Sequence, residues 1–536
     1  MTHGGRSMRR WNGWGDDSVD AVLSSGAVAM IESLLGPGRP PVDLDLTQVG
    51  RTVPASRAAP HPLLIDDRTE RVRHARGQSF PDLIALRSGH GLTFPDAVAY
   101  PNSPEAVREL LRYAELTGAS LIPYGGGTSV VGHVTVLPSA TPVVTVDLSH
   151  LSDFLFLDST SQTAVFGAGI AGAQLESRLR GHGFTLGHFP QSFEYSSLGG
   201  WIATRSRGQQ AIHYGGIERL LAGASLETPA GRLNLPAHVA SSTGIDLREL
   251  VLGSEGRFGI ITSATVRVSP TPEFERFEGY FFAGFEQAVE AVRAVAQARL
   301  PVSMLRLSDP TETEVNLASS TAEQAGATDR FRRERGFDRG SCLLIVGVTG
   351  TAAARTSQRH IEQVLADHGG FAVPGGTHGS DWSRGRFQAP YLRNTLWELG
   401  YAVDTVETAV DWSRLAATRT GVEDALRDGL ADVGEVVVPF SHLSHVYPTG
   451  SSIYTTYLFR LAPEPAETLR RWTMLKGAAS RAIVAHGGTI SHQHGVGLDH
   501  RAFLEAEKGS LGLDLIRGVA SHLDPAGTLN PGKLVS

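Results

Sequence analysis

Residues 121–132 read LIPYGGGTSVVG. An apolar, β-prone run reaches Pro123 and Tyr124, and three glycines, Gly125, Gly126 and Gly127, carry the chain into Thr128 and Ser129. Glycine adopts positive φ without a Cβ clash and leaves its N–H uncovered. Three in a row, followed by two hydroxyls, can wrap a diphosphate with backbone and side-chain donors. The lysine of the common phosphate loop is absent, which excludes a Walker-type nucleotide site. By itself the triplet reads equally well as an ordinary turn, so the rest of the chain has to decide.

The chain of 536 residues is long enough for two or three domains with their own cores. Its 41% hydrophobic and 19% charged content is that of a soluble globular protein, and a net charge of −7 argues against nucleic acid as partner. Cys342, the single cysteine, excludes an internal disulfide and a Cys-rich metal site; within SCLLIVGV it reads as a buried strand residue. No run of 18 apolar residues exists, so no membrane-spanning helix is expected. Arg6, Arg9 and Arg10 are followed by no apolar core, so no secretory leader is expected either. Residues 17–36 can form a helix with one apolar side. Lacking a basic face, it is expected to pack on the protein body rather than on a membrane.

Residues 1–90, rich in Pro, Gly and Arg, read as an extension wrapping a core. PNSPEAVRELLRYAELTG (101–118) is a helix capped by Ser103, with Pro104 in its first turn, Gly118 at its stop and Val107, Leu110, Leu111 and Ala114 as its buried stripe. PVVTVDLS and TAVFGAGI read as strands, AGAQLESRLRGHG as a helix, and this βαβ-like texture is expected to run to about residue 270. From about 275 to 460, strands (GYFFAGF, CLLIVGV, SIYTTYLFRL) alternate with helices and imply a second α+β domain. The charge-dense TDRFRRERGFDRG (328–340) reads as a solvated loop, and PAETLRRWTMLKGAASRAIVAHGG after 463 as a helix before the tail LNPGKLVS.

GAGIAG (167–172) matches G-x-G-x-x-G, yet the acidic residue a nicotinamide site needs about 20 positions later is missing, which favours a close-packing turn or a secondary cofactor contact. Two later stretches, PQSFEYSSLGGWIATRSRGQ (190–209) and LGSEGRFGIITSATVRV (252–268), stand with the triple-glycine loop in order and spacing. Together the three resemble the FAD-binding domain of the vanillyl-alcohol-oxidase/p-cresol-methylhydroxylase superfamily. GHFPQSFEYSSLGGW, MLRLSD, PYLRNTLWELG, HVYPTGSSIYTTYLF and GGTISHQHGVG extend the resemblance, from about residue 70 to the end, to the alkyldihydroxyacetonephosphate synthase family, its actinobacterial members most of all.

The resemblance implies an α+β architecture: an N-terminal extension (1–90), a FAD-binding domain of two subdomains (91–272), an α+β substrate or cap domain (273–462) and a helical C-terminal segment (463–536) completing the active site. It implies four FAD-contact segments: Pro123, Tyr124, Gly125, Gly126, Gly127, Thr128 and Ser129; Gln191, Ser192, Phe193, Glu194, Tyr195, Ser196 and Ser197; Thr204, Arg205, Ser206 and Arg207; Glu255, Gly256, Arg257, Phe258, Gly259, Ile260 and Ile261. For any single serine here, turn capping is the competing reading. Some superfamily members bind FAD covalently through a loop histidine. Thr128 follows the glycines here and Cys342 lies outside the motifs, so non-covalent FAD is expected, with His133 the one nearby histidine.

The reaction implied is exchange of the acyl group of acyl-dihydroxyacetone phosphate for a fatty alcohol through a flavin N5 adduct, without net redox change. The resemblance makes Arg393 the substrate-phosphate ligand and Tyr454 a catalytic phenol, for which a lowered pKa suits proton shuttling. For Arg393 the alternative is a salt bridge to Glu398 or Glu407; Tyr457, three residues beyond Tyr454, is expected on the opposite strand face. His492 and His494, at i and i+2, are expected on one side of an extended segment as proton relays or phosphate ligands. H-x-H is also a metal spacing, but no Cys or strong carboxylate completes a site in sequence, so no metal is expected. Gln493 stands where the family has a third histidine, and Arg306 matches an arginine tied to activity; both are counted on the substrate side. His442 and His445 flank the Tyr454 strand, and Lys533 closes a motif shared by FAD-linked oxidases.

The alternative is a FAD-linked 2-hydroxyacid dehydrogenase or oxidase of the same fold, disfavoured because SHQHGVG replaces the histidine motif of those enzymes. The family reading implies lipid substrates, a homodimer, and a cytoplasmic protein in peripheral contact with a membrane.

Overall fold

The computed structural model describes residues 9–318, 322–374 and 377–535; Arg6 lies outside them. The glycine loop grows from a small sheet in which Ser120–Tyr124 runs parallel to Val143–Asp147, and Val143–Asp147 parallel to Ala97–Ala99. Leu64–Ile65 closes one edge antiparallel. The C-terminal tail joins the other edge: Leu121 N donates to Thr528 O and Asn530 N to Leu121 O, each at 2.8 Å. Helix Pro104–Thr117 packs on this sheet with the expected cap, stop and stripe, and adds the buried Tyr113.

The parallel pattern stops at residue 147, short of the expected 270. A second, wholly antiparallel sheet follows, in the order 154–158, 163–167, 260–267, 221–228, 231–235. The reason is loop length. Residues 159–162 are a tight turn, with Asp158 accepting from Thr160 N and Ser161 N, and so short a link joins only antiparallel neighbours. GAGIAG is the close-packing turn: a Cβ at Gly167 or Gly169 would strike the carbonyls of Leu151 or Leu148, and one at Gly172 would strike Phe193.

The second domain is a seven-stranded sheet, antiparallel throughout, ordered 371–372, 274–282, 342–350, 304–308, 438–443, 450–460, 401–411. Cys342 is buried in it, as expected. One expectation fails: much of the charged stretch 328–340 is helical, within Ala322–Glu334. There Arg332 is buried over the Phe281 ring and pairs with Glu314 at 2.6 Å, so part of the charge faces inward. Helix Phe80–Ser88 is core, with the Phe80 ring centroid 5.9 Å from Phe459 and 6.2 Å from Trp397.

Phe80 packs the N-terminal stretch onto the helices and strands of the second domain. Phe80→Ala should therefore cost about 3–5 kcal/mol of stability, read as a lowered midpoint in chemical denaturation.

Candidate active site

One cavity of about 490 Å³ runs from the glycine loop to the cap sheet. At its first end the glycines serve the protein as much as a ligand. A Cβ at Gly125 would collide with Ser197 Oγ, one at Gly126 with the Tyr195 carbonyl, and one at Gly127 (φ +59°) with the Tyr124 ring. The loop is thus pressed onto segment 195–197. Its own donors stay free: among the described residues no protein acceptor takes the N–H of Gly126, Gly127, Thr128, Ser129 or Val130. A run of unclaimed N–H groups on a cavity wall suits a diphosphate.

Of the four predicted segments, Pro123–Ser129, Gln191, Ser192, Ser196, Ser197, Thr204, Ser206, Arg207, Glu255, Gly256, Gly259 and Ile261 line the cavity. Seven predicted residues do not. Phe193 stacks on Phe387, and Glu194 and Tyr195 bond to Tyr391. Arg205 pairs with Glu249, Arg257 donates to the Leu529 carbonyl, and Phe258 and Ile260 are buried in the core. The capping reading holds for Ser196, which donates to Ser192 O, for Ser197, which accepts from Gly200 N, and for Thr204, which donates to Gly200 O.

At the other end, three neighbouring strands place Glu407, Tyr454 and His442 in direct register. Residues opposite one another in an antiparallel pair share a face. Val403, Thr405, Tyr454, Thr456 and Leu458 accordingly line the cavity, while Tyr457 turns away and donates to Asp404, as the strand period requires. His442 stacks on Tyr454 at 4.9 Å, and His494 meets it edge-on at 5.7 Å. Burial pushes the Tyr454 phenol up to about 12, with Thr405 and Arg393 only partly offsetting it. The shift is thus opposite to the lowered pKa expected, and Tyr454 is held as the neutral phenol.

Arg393 forms neither proposed salt bridge. Its Nη1 donates to Gln78 O at 2.7 Å, and its Nη2 is buried with no hydrogen-bond partner among the described residues. The N-terminal extension fixes its helix, Leu392–Glu398: Asn394 bonds both N and O of Trp14, and Trp397 Nε1 donates to Asp43 at 2.9 Å. Arg306 also lines the cavity but is already paired, 2.9 Å from Glu312, which also holds His442 Nδ1 at 2.8 Å.

His492 and His494 separate. The segment is bent rather than extended, so His494 and Gln493 line the cavity while His492 sits behind it, with Nε2 2.6 Å from the Tyr447 hydroxyl. Burial holds His492 at about 4 and lowers His494, so both rings are neutral at pH 7. The sequence reading missed Glu407, the carboxylate beneath them, and the paired Glu312. Among the described residues no group of three or more His, Cys, Asp or Glu side chains is arranged to hold a metal. Lys533 is buried outside the cavity lining, and burial lowers its ammonium to about 7.

The remaining wall is apolar. Leu23, Ile31 and Leu35 from the N-terminal segment cluster with Leu396, Phe440 and Leu458. Helix Ser25–Leu35 thus packs on the body, as expected.

Residues 95–234 match the FAD binding domain family, and residues 271–534 the C-terminal domain of FAD linked oxidases. These matches, with the free donors of the glycine loop, define a flavoprotein of the FAD-linked oxidase class whose cofactor is FAD. An alkyldihydroxyacetonephosphate synthase of Dictyostelium discoideum is 31% identical over 88% of this chain and 78% of its own. One of Trypanosoma brucei brucei is 31% identical over the same shares. A solved alkyldihydroxyacetonephosphate synthase superposes with a TM-score of 0.82 at 27% identity, covering 98% of this chain and 99% of the other. The chain belongs to the alkyldihydroxyacetonephosphate synthase family.

Because Gly126 has no room for a side chain, Gly126→Ala should push the loop off segment 195–197. The variant is expected to keep its far-UV circular dichroism and to purify without the yellow flavin absorbance.

Proposed function

We propose that this protein exchanges the acyl group of acyl-dihydroxyacetone phosphate for a fatty alcohol, giving an ether-lipid precursor without net redox change. The observation that carries the reading is Arg393. Its buried guanidinium has one unclaimed donor in a cavity that also holds a neutral phenol and a contiguous apolar wall. A phosphate is the natural ligand for such a group, and an alkyl chain for such a wall. Arg306, already neutralised by Glu312, shapes the wall rather than taking the phosphate.

Gly125–Ser129 and the serine segments would hold FAD non-covalently, and the bound flavin would supply an electron sink for the reaction. His494, neutral and facing the cavity, takes a C1 proton and returns it to C1 once the alkoxy group is in place. Tyr454 donates its proton to the departing carboxylate and recovers one from the incoming alcohol. His492 supports His494 from behind rather than touching substrate. Gln493 faces the cavity as a neutral hydrogen-bonding group. Deprotonation of Tyr454 is too unfavourable near neutrality for it to act as the resting base.

Among the described residues no helix is long and apolar enough to cross a membrane. Exposed Val22, Leu34 and Val42 flank the apolar wall, and we place peripheral contact with a lipid surface there, on a cytoplasmic protein. Exposed Leu155 and Phe156 on an edge strand are the apolar surface that a homodimer would cover.

Anaerobic incubation of the yellow protein with acyl-dihydroxyacetone phosphate and isotopically labelled fatty alcohol should yield labelled ether with no electron acceptor present. Flavin bleaching by a 2-hydroxyacid, with no ether, would instead favour a dehydrogenase. Tyr454→Phe should lower kcat on the order of 100- to 10,000-fold. Arg393→Ala should raise the KM for the phosphorylated substrate on the order of 10- to 100-fold, the worth of a charge-assisted hydrogen bond. Burial lowers the His494 pKa, so the ring takes up a proton only below its ordinary value of about 6.5; kcat should be level through neutral pH and fall as acid is added.

A further inference from the structure

The loop Ser491–Gly497 carries His494 and Gln493 into the cavity but belongs to no helix or strand. What fixes it is a buried carboxylate. Glu407, 2% exposed, accepts His492 N at 2.6 Å on Oε2. On Oε1 it accepts the Ser491 hydroxyl at 2.7 Å, His494 N at 3.0 Å and Gln493 N at 3.1 Å. Three successive backbone N–H groups thus converge on one anion, the arrangement by which a loop usually holds a phosphate, with a side chain of the protein as the anion. Burial opposes ionisation of Glu407; His494 and His492 when protonated, and the Ser491 hydroxyl and the backbone donors at any pH, more than offset it and hold the carboxyl below the usual carboxylate range.

Glu407 is also the cross-strand partner of Tyr454. One residue therefore ties the position of the phenol, set by strand register, to the position of the histidines, set by hydrogen bonds. The far end of the loop has its own clamp: Glu255 accepts Val496 N at 2.6 Å and Gly497 N at 2.9 Å, and its carboxylate stands 3.1 Å from His133 Nε2.

We propose that Glu407 is a positioning residue for this reaction, setting the distance between His494 and Tyr454 by clamping the backbone of the histidine loop. The proposal rests on the transferase reading for its kinetic consequence but not for the clamp itself. Glu407→Gln puts an amide NH2 where one of the accepting oxygens stood, so donors face a donor.

Two measurements on the flavin-loaded full chain test it. Hydrogen-exchange mass spectrometry of peptides covering 488–498 should show exchange about tenfold or more faster in E407Q, with peptides of the glycine loop unchanged. Ether formation should lose kcat on the order of 100-fold, the cost of about 1 Å of misplacement, while the KM set by Arg393 stays level. If E407Q does not fold, Ser491→Ala removes one of the four bonds and should give a smaller change of the same kind. Exchange is read on the protein alone, so the clamp is judged even if no ether forms. Unchanged exchange in both variants, or a loosened loop with kcat intact, would overturn the proposal.

Discussion

The geometry of the site depends on two buried carboxylates holding one loop. Glu407 comes from the cap sheet and Glu255 from the turn that leads into strand 260–267 of the second sheet, and between them they take five backbone N–H groups of residues 492–497. A buried charge is tolerated only where it is paired or well hydrogen-bonded. The loop needs the carboxylates to satisfy its N–H groups, and the carboxylates need the loop to stay charged. That mutual requirement joins the flavin half of the cavity to the cap half and brings His494 to Tyr454.

A second constraint runs through the N-terminus. Trp14 and Asp43 fasten the short helix that carries Arg393, and Leu23, Ile31 and Leu35 form part of the apolar wall. Residues 14–43 thus build one side of the cavity, whereas the glycine loop and the serine segments build the other. Arg393 and the Tyr454–His494 pair accordingly sit on separate elements, each fixed by its own contacts.

Electrostatics follow from burial. The rings of His442, His492 and His494 and the Tyr454 phenol are all shifted by burial toward their neutral forms, while Glu312 and Glu407 remain ionised through their partners. Near Tyr454, among the described residues, these neutral groups stand beside Arg393, whose guanidinium has no carboxylate partner there.

The motifs were legible in the sequence because their chemistry is local. Consecutive glycines, the Ser103 cap, the Tyr454–Tyr457 alternation and the buried Cys342 strand each depend on residues a few positions apart. The four segments and Arg393 were picked out by resemblance to family motifs, and Arg393 and part of the segments line the cavity. The antiparallel character of 154–267 was not, because strand direction depends on how chain ends meet rather than on composition. Glu407 was invisible as a clamp because its partners lie 84 to 87 residues away. Tyr454 was read with the wrong direction of pKa shift because burial, which raises it, is a property of everything packed around the ring. Sequence alone determined which groups this protein can bring to bear; tertiary structure decided which of them are free, charged and in reach, because those depend on contacts made across the whole chain.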